Sequence, residues 1–323
     1  MDQQIDTKEV IKFTVPTPFP VGDVNLYLIK GDVLTLVDAG VKTEEAWNSF
    51  QEQLEAIGLK TTDIEQVLLT HHHPDHVGML DFFPADLPVI GHPLNDSWIS
   101  KDPEFFERHT AFFTDLFTKS GIDPVFLNLL RKAESPLRFS CHRSLTSTVT
   151  EGDRIAGLPD WRVIYTPGHA RSHIVLYRES DGLVIGGDAI LAHISPNPLL
   201  EPPQHNEIER AKPQVQYNKT LKKLLDYDIS RIFTGHGDDI TDLHSLIHKR
   251  LRRQEERAFS VLEMLRVKPM TAFETCQQLF PSVYKKELML TMSETIGQLD
   301  FLEELGEIVI DKTKEYFVYH AKS

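Results

Sequence analysis

The sequence predicts an α/β fold of layered sheets covered by helices, on three observations. Short apolar runs bounded by turn residues recur between residues 11 and 233. Helical spacing separates some of these runs, and the longest helical stretches are confined to about 95–140 and to the chain beyond 243. Many short strands with few long helices between them favour stacked sheets over a bundle.

In order along the chain, residues 13–15, 24–29 and 33–40 read as strands, with Gly31-Asp32 near the turn between the last two. Over residues 43–58, Trp47, Phe50, Leu54 and Ile57 fall at spacings of 3, 4 and 3, which is one face of a helix. Further strands are expected over 66–70, 87–90, 161–165, 174–177, 183–185 and 231–233. Residues 95–140 carry Phe105, Phe106, Phe112, Phe113, Leu116, Phe117, Phe126, Leu127 and Leu130 at helical spacing and predict a helical insertion. After residue 243, Ile247, Leu251, Ala258, Leu262 and Leu265 mark one face of a long helix. Thr271 and Glu274 have capping-box spacing, another helix is expected over about 284–305, and 307–310 with 315–319 read as a hairpin. Three helices and a hairpin predict a winged-helix-like domain over 244–323, leaving 1–243 as the domain that carries the chemistry.

Composition bounds the function. The chain has 323 residues, 41% of them hydrophobic, enough for a core and too many for a wholly disordered chain. Its net charge, 34 − 48 = −14, excludes a generic polyanion binder. No run of about 18 uncharged apolar residues exists to cross a membrane. The start, Met1-Asp2-Gln3-Gln4-Ile5-Asp6, lacks the basic and apolar regions of an export signal, so a cytoplasmic protein without membrane partners is expected. The two cysteines, Cys141 and Cys276, form no CxxC pair, which argues against both a disulfide framework and a thiolate metal site. Histidine is the unusual residue: there are 15, and four stand within Thr70-His71-His72-His73-Pro74-Asp75-His76.

That segment follows a strand. In an extended stretch residues 71 and 73 point the same way, and a turn through Pro74 would present Asp75 and His76 to a second position close by. Imidazole and carboxylate donors without thiolate suit zinc, with iron or manganese as the alternatives. More candidate donors end later strands, in Thr166-Pro167-Gly168-His169, Gly186-Gly187-Asp188 and Thr234-Gly235-His236-Gly237. Flanking glycines let the backbone pass close to a buried ion. No GxSxG motif and no cysteine with an oriented base competes with this set.

The pattern HxHxDH, then a distant His, an Asp and a His, resembles that of the metallo-β-lactamase-fold hydrolase superfamily over about residues 10–243. The resemblance implies a four-layer αββα sandwich with two divalent metal ions at the edge of its sheets. It implies His71, His73 and His169 on one ion, Asp75, His76 and His236 on the other, and Asp188 bridging them. It also implies hydrolysis: ions sharing a water lower its pKa and so supply a metal-bridging hydroxide. Asp75 would be the catalytic residue that moves the proton, and Asp38 would support the ligands or serve as a turn carboxylate. The substrate class it favours is a small acyl ester or thioester, in the manner of glyoxalase II, or a lactone. Nuclease or phosphodiesterase activity, or a regulator binding nucleic acid through the winged helix, are the alternatives.

Other residues divide between roles. His72 should point away from the ligands; His173 could orient the site, His193 could line a pocket, and Tyr217 could donate a hydrogen bond to a substrate carbonyl or simply pack. Arg171 reads as an exposed loop residue, with contact to an anionic substrate as the alternative. Lys249, Arg250, Arg252, Arg253 and Arg257 form the one dense basic stretch, diluted by Glu255 and Glu256, and read as a solvated helix face, a contact with a neighbouring domain or a second copy in a homodimer, or a nucleic-acid surface.

Overall fold

The computed structural model describes residues 9–122, 126, 135–205 and 207–322; the initial hexapeptide, Leu127 and Leu130 lie outside them. The chain forms two compact units. The first comprises Met1–Asp102, Pro136–Pro196 and Lys223–Leu246, and the second Pro103–Ser135, Asn197–Lys222 and Ile247–Ser323. No helix among the described residues is long and apolar enough to cross a membrane.

In the first unit, β1 (Val10–Val15), β2 (Val24–Lys30), β3 (Leu34–Val37), β4 (Gln66–Leu68), β5 (Val89–Gly91) and β6 (Ser147–Thr148) form one sheet in that order. Its first two pairings are antiparallel and the last three parallel. The second sheet runs β11-β10-β9-β8-β7, from β7 (Arg154–Ile155), β8 (Leu158–Tyr165), β9 (Ile174–Arg178), β10 (Leu183–Gly187) and β11 (Arg231–Thr234). Only β10 and β11 pair in parallel there.

Side-chain alternation decides what each face packs against. Tyr27, Ile29, Val37 and Leu68 join Trp161, Val163, Leu176, Ile185 and Phe233 in the core shared by the two sheets. Their sequence neighbours Leu26, Leu28, Leu36, Val67 and Leu69 face the other way, into a core with Phe50 and Leu54 of α1 (Glu44–Ala56). Thr43 caps α1 by accepting from Ala46 N at 3.2 Å, with Glu44 and Glu45 against the positive end of the helix dipole.

The first sheet's parallel strands are short, and the chain leaves β4 at Leu68 to enter the histidine segment. Pro74 opens the one-turn helix α2 (Pro74–Val77), since its missing N–H costs nothing at a helix start. At the same edge the sheets are stitched together. Ile174 N donates to Thr70 O at 2.9 Å, Asn25 N to Gly235 O at 2.7 Å, and the Tyr27 hydroxyl to Thr234 O at 2.7 Å. A short helix, α3 (Asp96–Ile99), completes this unit's regular helices among the described residues.

The second unit holds α4 (Pro103–Lys119), α5 (Pro213–Leu224, whose last two residues fall to the first unit), most of α6 (Leu243–Val267), α7 (Ala272–Leu279), α8 (Leu288–Glu304) and the hairpin β12–β13 (Ile308–Asp311, Val318–Ala321). The capping box is present: Glu274 N donates to Thr271 Oγ1 and Thr271 N to Glu274 Oε2. The sequence suggests that the C-terminal stretch stands alone, whereas this unit is assembled from three stretches. The reason is in its core, where Phe113, Phe117, Ile122 and Leu200 pack with Ala258, Leu262, Leu265, Phe273 and Ile296. The segment expected to be helical over 95–140 accordingly supplies α3 to one unit and α4 to the other.

One close approach fixes the turn that carries Asp75 and His76. Gly78 N donates to Gly40 O at 2.7 Å and Ala39 N to His76 O at 2.7 Å, and a Cβ on Gly78 would stand 2.2 Å from Lys42 N and 2.4 Å from Phe139 O. Because those obstacles are backbone, Gly78→Ala is expected to cost about 1–3 kcal/mol of stability. A urea titration followed by circular dichroism measures it as a lowered midpoint with unchanged slope.

Candidate metal centre

His71 and His73 leave β4 in extended chain, and their side chains meet, with His71 Nε2 3.0 Å from His73 Nδ1. His169, in the loop after β8, closes this group; the donor atoms of His71, His73 and His169 all lie within 4.8 Å of one another. One turn of α2 brings Asp75 and His76 to a second group with His236, also within 4.8 Å, in which His236 Nε2 is 3.3 Å from Asp75 Oδ2. Asp188, at the end of β10, stands between the groups. Its Oδ2 is 3.5 Å from His169 Nε2 and 3.6 Å from His236 Nε2, and its Oδ1 is 3.6 Å from His76 Nε2.

The hydrogen bonds behind these donors set their tautomers. The Thr70 hydroxyl gives its proton to Asp38 Oδ2 at 2.8 Å, so at 3.0 Å it accepts from His71 Nδ1. His76 Nδ1 donates to Asp38 Oδ2 at 2.8 Å, and His236 Nδ1 donates to the carbonyl of Asp23 at 2.7 Å. Each of the three rings thus turns an Nε2 lone pair inward. His173 works on the carboxylate: its Nδ1 donates to Thr166 Oγ1 at 2.8 Å, leaving Nε2 to accept from Asp188 N at 3.1 Å.

The electrostatics suit a cation. Burial, reinforced by the neighbouring imidazoles, holds His71 well below the usual histidine range, and burial with His169 and His72 does the same for His73. Burial opposes the charged form of His76, but Asp188, Asp38 and Asp75 outweigh it and raise its pKa well above the ordinary value. Burial likewise disfavours the Asp188 carboxylate, but His236, His76 and His169 outweigh it and hold its pKa well below the usual range. Ionised carboxylates and protonated imidazoles compensate one another here, and a divalent ion can take the place of the protons. His76 Nε2 and Asp188 Oδ1 are fully buried and make no hydrogen bond, as expected of atoms whose partner is a metal. The donor set, all nitrogen and oxygen, fits a divalent metal.

Asp38 both supports a candidate donor, His76, and serves as a turn carboxylate. It adopts a left-handed φ of 62° and accepts from Thr70 N at 2.8 Å as well as from His76. His72 faces away, stacked on Trp98 at 4.4 Å with its Nδ1 2.8 Å from Ser172 Oγ. His193 is exposed and pairs with Asp238 at 2.7 Å, on the loop that follows His236. Tyr217 belongs to the second unit, where it is fully buried in α5. Arg171, expected to be exposed, is buried. Sequence reasoning overlooked Thr70, Thr166 and Ser172; the visible signal was a threonine at the strand end that opens three of the candidate donor segments.

A sequence profile described as the metallo-beta-lactamase superfamily matches residues 19–236. The chain is 50% identical over 297 residues to YqjP of Bacillus subtilis (strain 168), named a probable metallo-hydrolase, across 92% of this chain and 93% of that one. The crystal structure of a metallo-beta-lactamase family protein from Thermus thermophilus superposes with a TM-score of 0.80 at 27% identity, covering 98% of this chain and 99% of its own. A stretch of 134 residues is 28% identical to a hydroxyacylglutathione hydrolase of Idiomarina loihiensis, over 40% of this chain and 34% of that protein.

Asp38→Ala would strand Thr70 N and the His76 Nδ1 proton inside the protein. The expected result is a loss of about 10–100-fold in metal affinity with the fold retained, measured by competition with a chromophoric chelator.

Proposed function

The chain belongs to the metallo-beta-lactamase superfamily and is a metal-dependent hydrolase, and on that premise we propose that it uses two metal ions to hydrolyse a small acyl thioester, ester or lactone. The observation that carries the dinuclear reading is the position of Asp188, whose carboxylate lies 3.5–3.6 Å from histidines of both donor groups. We assign His71, His73 and His169 to one ion and Asp75, His76 and His236 to the other, with Asp188 shared. Zinc is the ion the nitrogen-rich donor set favours, and iron or manganese would be accepted by the same atoms.

When bound, the ions supply a deprotonated water near neutral pH and polarise the scissile carbonyl. The protein's own part is orientation and proton movement. The bonds from Thr70, Asp38 and the Asp23 carbonyl keep three Nε2 atoms aimed inward, and His173 holds the Asp188 backbone in place. Asp75 has a second free task beyond holding an ion: its carboxylate can take the proton released as water adds to the acyl carbon and return it to the departing sulfur or oxygen as that bond breaks.

A small acyl substrate is favoured over a polyanion on charge. Asp238 follows His236 closely in the chain and is exposed, and Asp23, whose carbonyl accepts from His236 Nδ1, is exposed as well, so both would repel a phosphodiester backbone. The similarity to a hydroxyacylglutathione hydrolase supports the thioester. The C-terminal helices and hairpin, in winged-helix order, would then serve assembly.

Metal analysis by elemental mass spectrometry, on protein purified without chelator or affinity histidines, should return about two zinc per chain. The same protein assayed on thioester, ester, lactone and phosphodiester panels should turn over an acyl substrate with rates insensitive to salt. His71→Ala and Asp188→Ala should each lose metal and about 10³-fold or more in rate, since a ligand and not a substrate contact is removed. Retained metal and activity in both variants would overturn the assignment. Phosphodiester turnover that falls steeply with salt would replace the substrate class.

A further inference from the structure

We propose that α6 is the contact of a two-fold symmetric dimer, in which the basic turn of one copy lies against the acidic turn of the other. The helix spans Leu243–Val267, and its inward side is occupied by Ile247, Arg250, Gln254, Ala258, Val261, Leu262 and Leu265. The opposite side is exposed and carries His248, Lys249, Arg252, Glu255, Glu256, Phe259 and Glu263, recurring at three and four residues so that they share one face.

Two of the five cations in the basic stretch are already committed. Arg250 is buried, and Arg257 Nη1 donates to Glu294 Oε1 at 2.7 Å. Among the described residues, Lys249, Arg252, Arg253, Glu255 and Glu256 form no ion pair and no side-chain hydrogen bond. Arg252 and Glu256 are four apart on one helix and still do not pair, in keeping with the less favourable order of cation before anion. The face therefore presents positive charge in its N-terminal part and negative charge at Glu255 and Glu256, while Glu263 beyond them is paired with Arg266. In that acidic part Glu255, Glu256, Phe259, Ser260 and Glu263 line an open depression of about 540 Å³, with Phe259, a large apolar side chain, 39% exposed.

A surface whose sign reverses along its length is its own complement when the second copy runs antiparallel. With the two-fold axis at the level of Gln254, residues two steps either side of it face one another, so Arg252 meets the partner's Glu256 and the reverse. Five steps either side, the aliphatic stem of Lys249 covers the partner's Phe259. The axis then carries no like charges, whereas an axis at Glu256 would set that carboxylate against itself. A nucleic acid would use only the basic part and would leave Phe259, Glu255 and Glu256 facing phosphate.

The test is mass measurement in solution by sedimentation equilibrium, on the full chain, over a concentration series at low salt. The wild type should be a reversible dimer that weakens as salt is added. Arg252→Glu alone and Glu256→Arg alone each turn two attractions into two repulsions, and each should raise the dissociation constant about tenfold or more. The double variant R252E/E256R should dimerise like the wild type, and an equimolar mixture of the two single variants should recover dimers that neither forms alone. A wild type that stays monomeric at every concentration, or a dimer indifferent to both single changes, overturns the proposal. So does duplex DNA or RNA binding by a monomer that is lost in Arg252→Glu.

Discussion

Three pieces of chain meet at the Asp38 carboxylate. It follows β3 and accepts from the backbone and hydroxyl of Thr70, beyond β4, and from the imidazole of His76 in α2. A left-handed backbone at a non-glycine residue costs energy, and three accepted hydrogen bonds, one from a ring flanked by carboxylates, offset it. The Thr70 hydroxyl then sets the His71 ring, so the direction of one donor in each metal group derives from the same side chain. Other acceptors fix two further rings, a carbonyl for His236 and a threonine for His173, so much of the donor set is oriented by the protein itself.

Most strands were legible because apolar alternation reports burial on two faces, and β2 shows it residue by residue: Leu26 and Leu28 into one core, Tyr27 and Ile29 into the other. The short, mostly exposed β6 and β7 carry no such pattern and were not expected. The helix over 43–58, the hairpin at Gly31-Asp32, the capping box at Thr271 and the terminal hairpin all depend on local chemistry, and each appears where that chemistry puts it. Histidine spacing revealed the donor segments for a similar reason, since an extended chain and a proline-initiated turn leave little choice of direction. What spacing does not encode is the partner behind each ring. Thr166 and Ser172 are ordinary loop residues until β8 and β9 fold the loop back on itself.

Arg171 and the second unit were hidden for another reason. Burial of a long charged side chain is decided by distant segments, and no local pattern marks it. In the same way, α4 and residues 197–222 look like parts of the first domain along the chain, while their apolar side chains complete a core with the C-terminal helices. The interior of α8 gives no hint of this in its periodicity, because it is buried on almost every side and mixes Gln298, Glu294 and Asp300 with Met292, Ile296 and Leu299. Most of those polar groups are matched: Gln298 Nε2 donates to Gln254 Oε1 at 2.9 Å, and Arg210 grips Asp300 with both terminal nitrogens at 2.6 and 2.7 Å.

The candidate donors come from the ends of β4, β8, β10 and β11, which belong to two different sheets. Ions held there would act mechanically as rivets between the layers, because the sheets could not part until the coordination broke. Their effect would fall chiefly on the rate of unfolding, and the lifetime of the folded chain would become a property of metal exchange as much as of its apolar core.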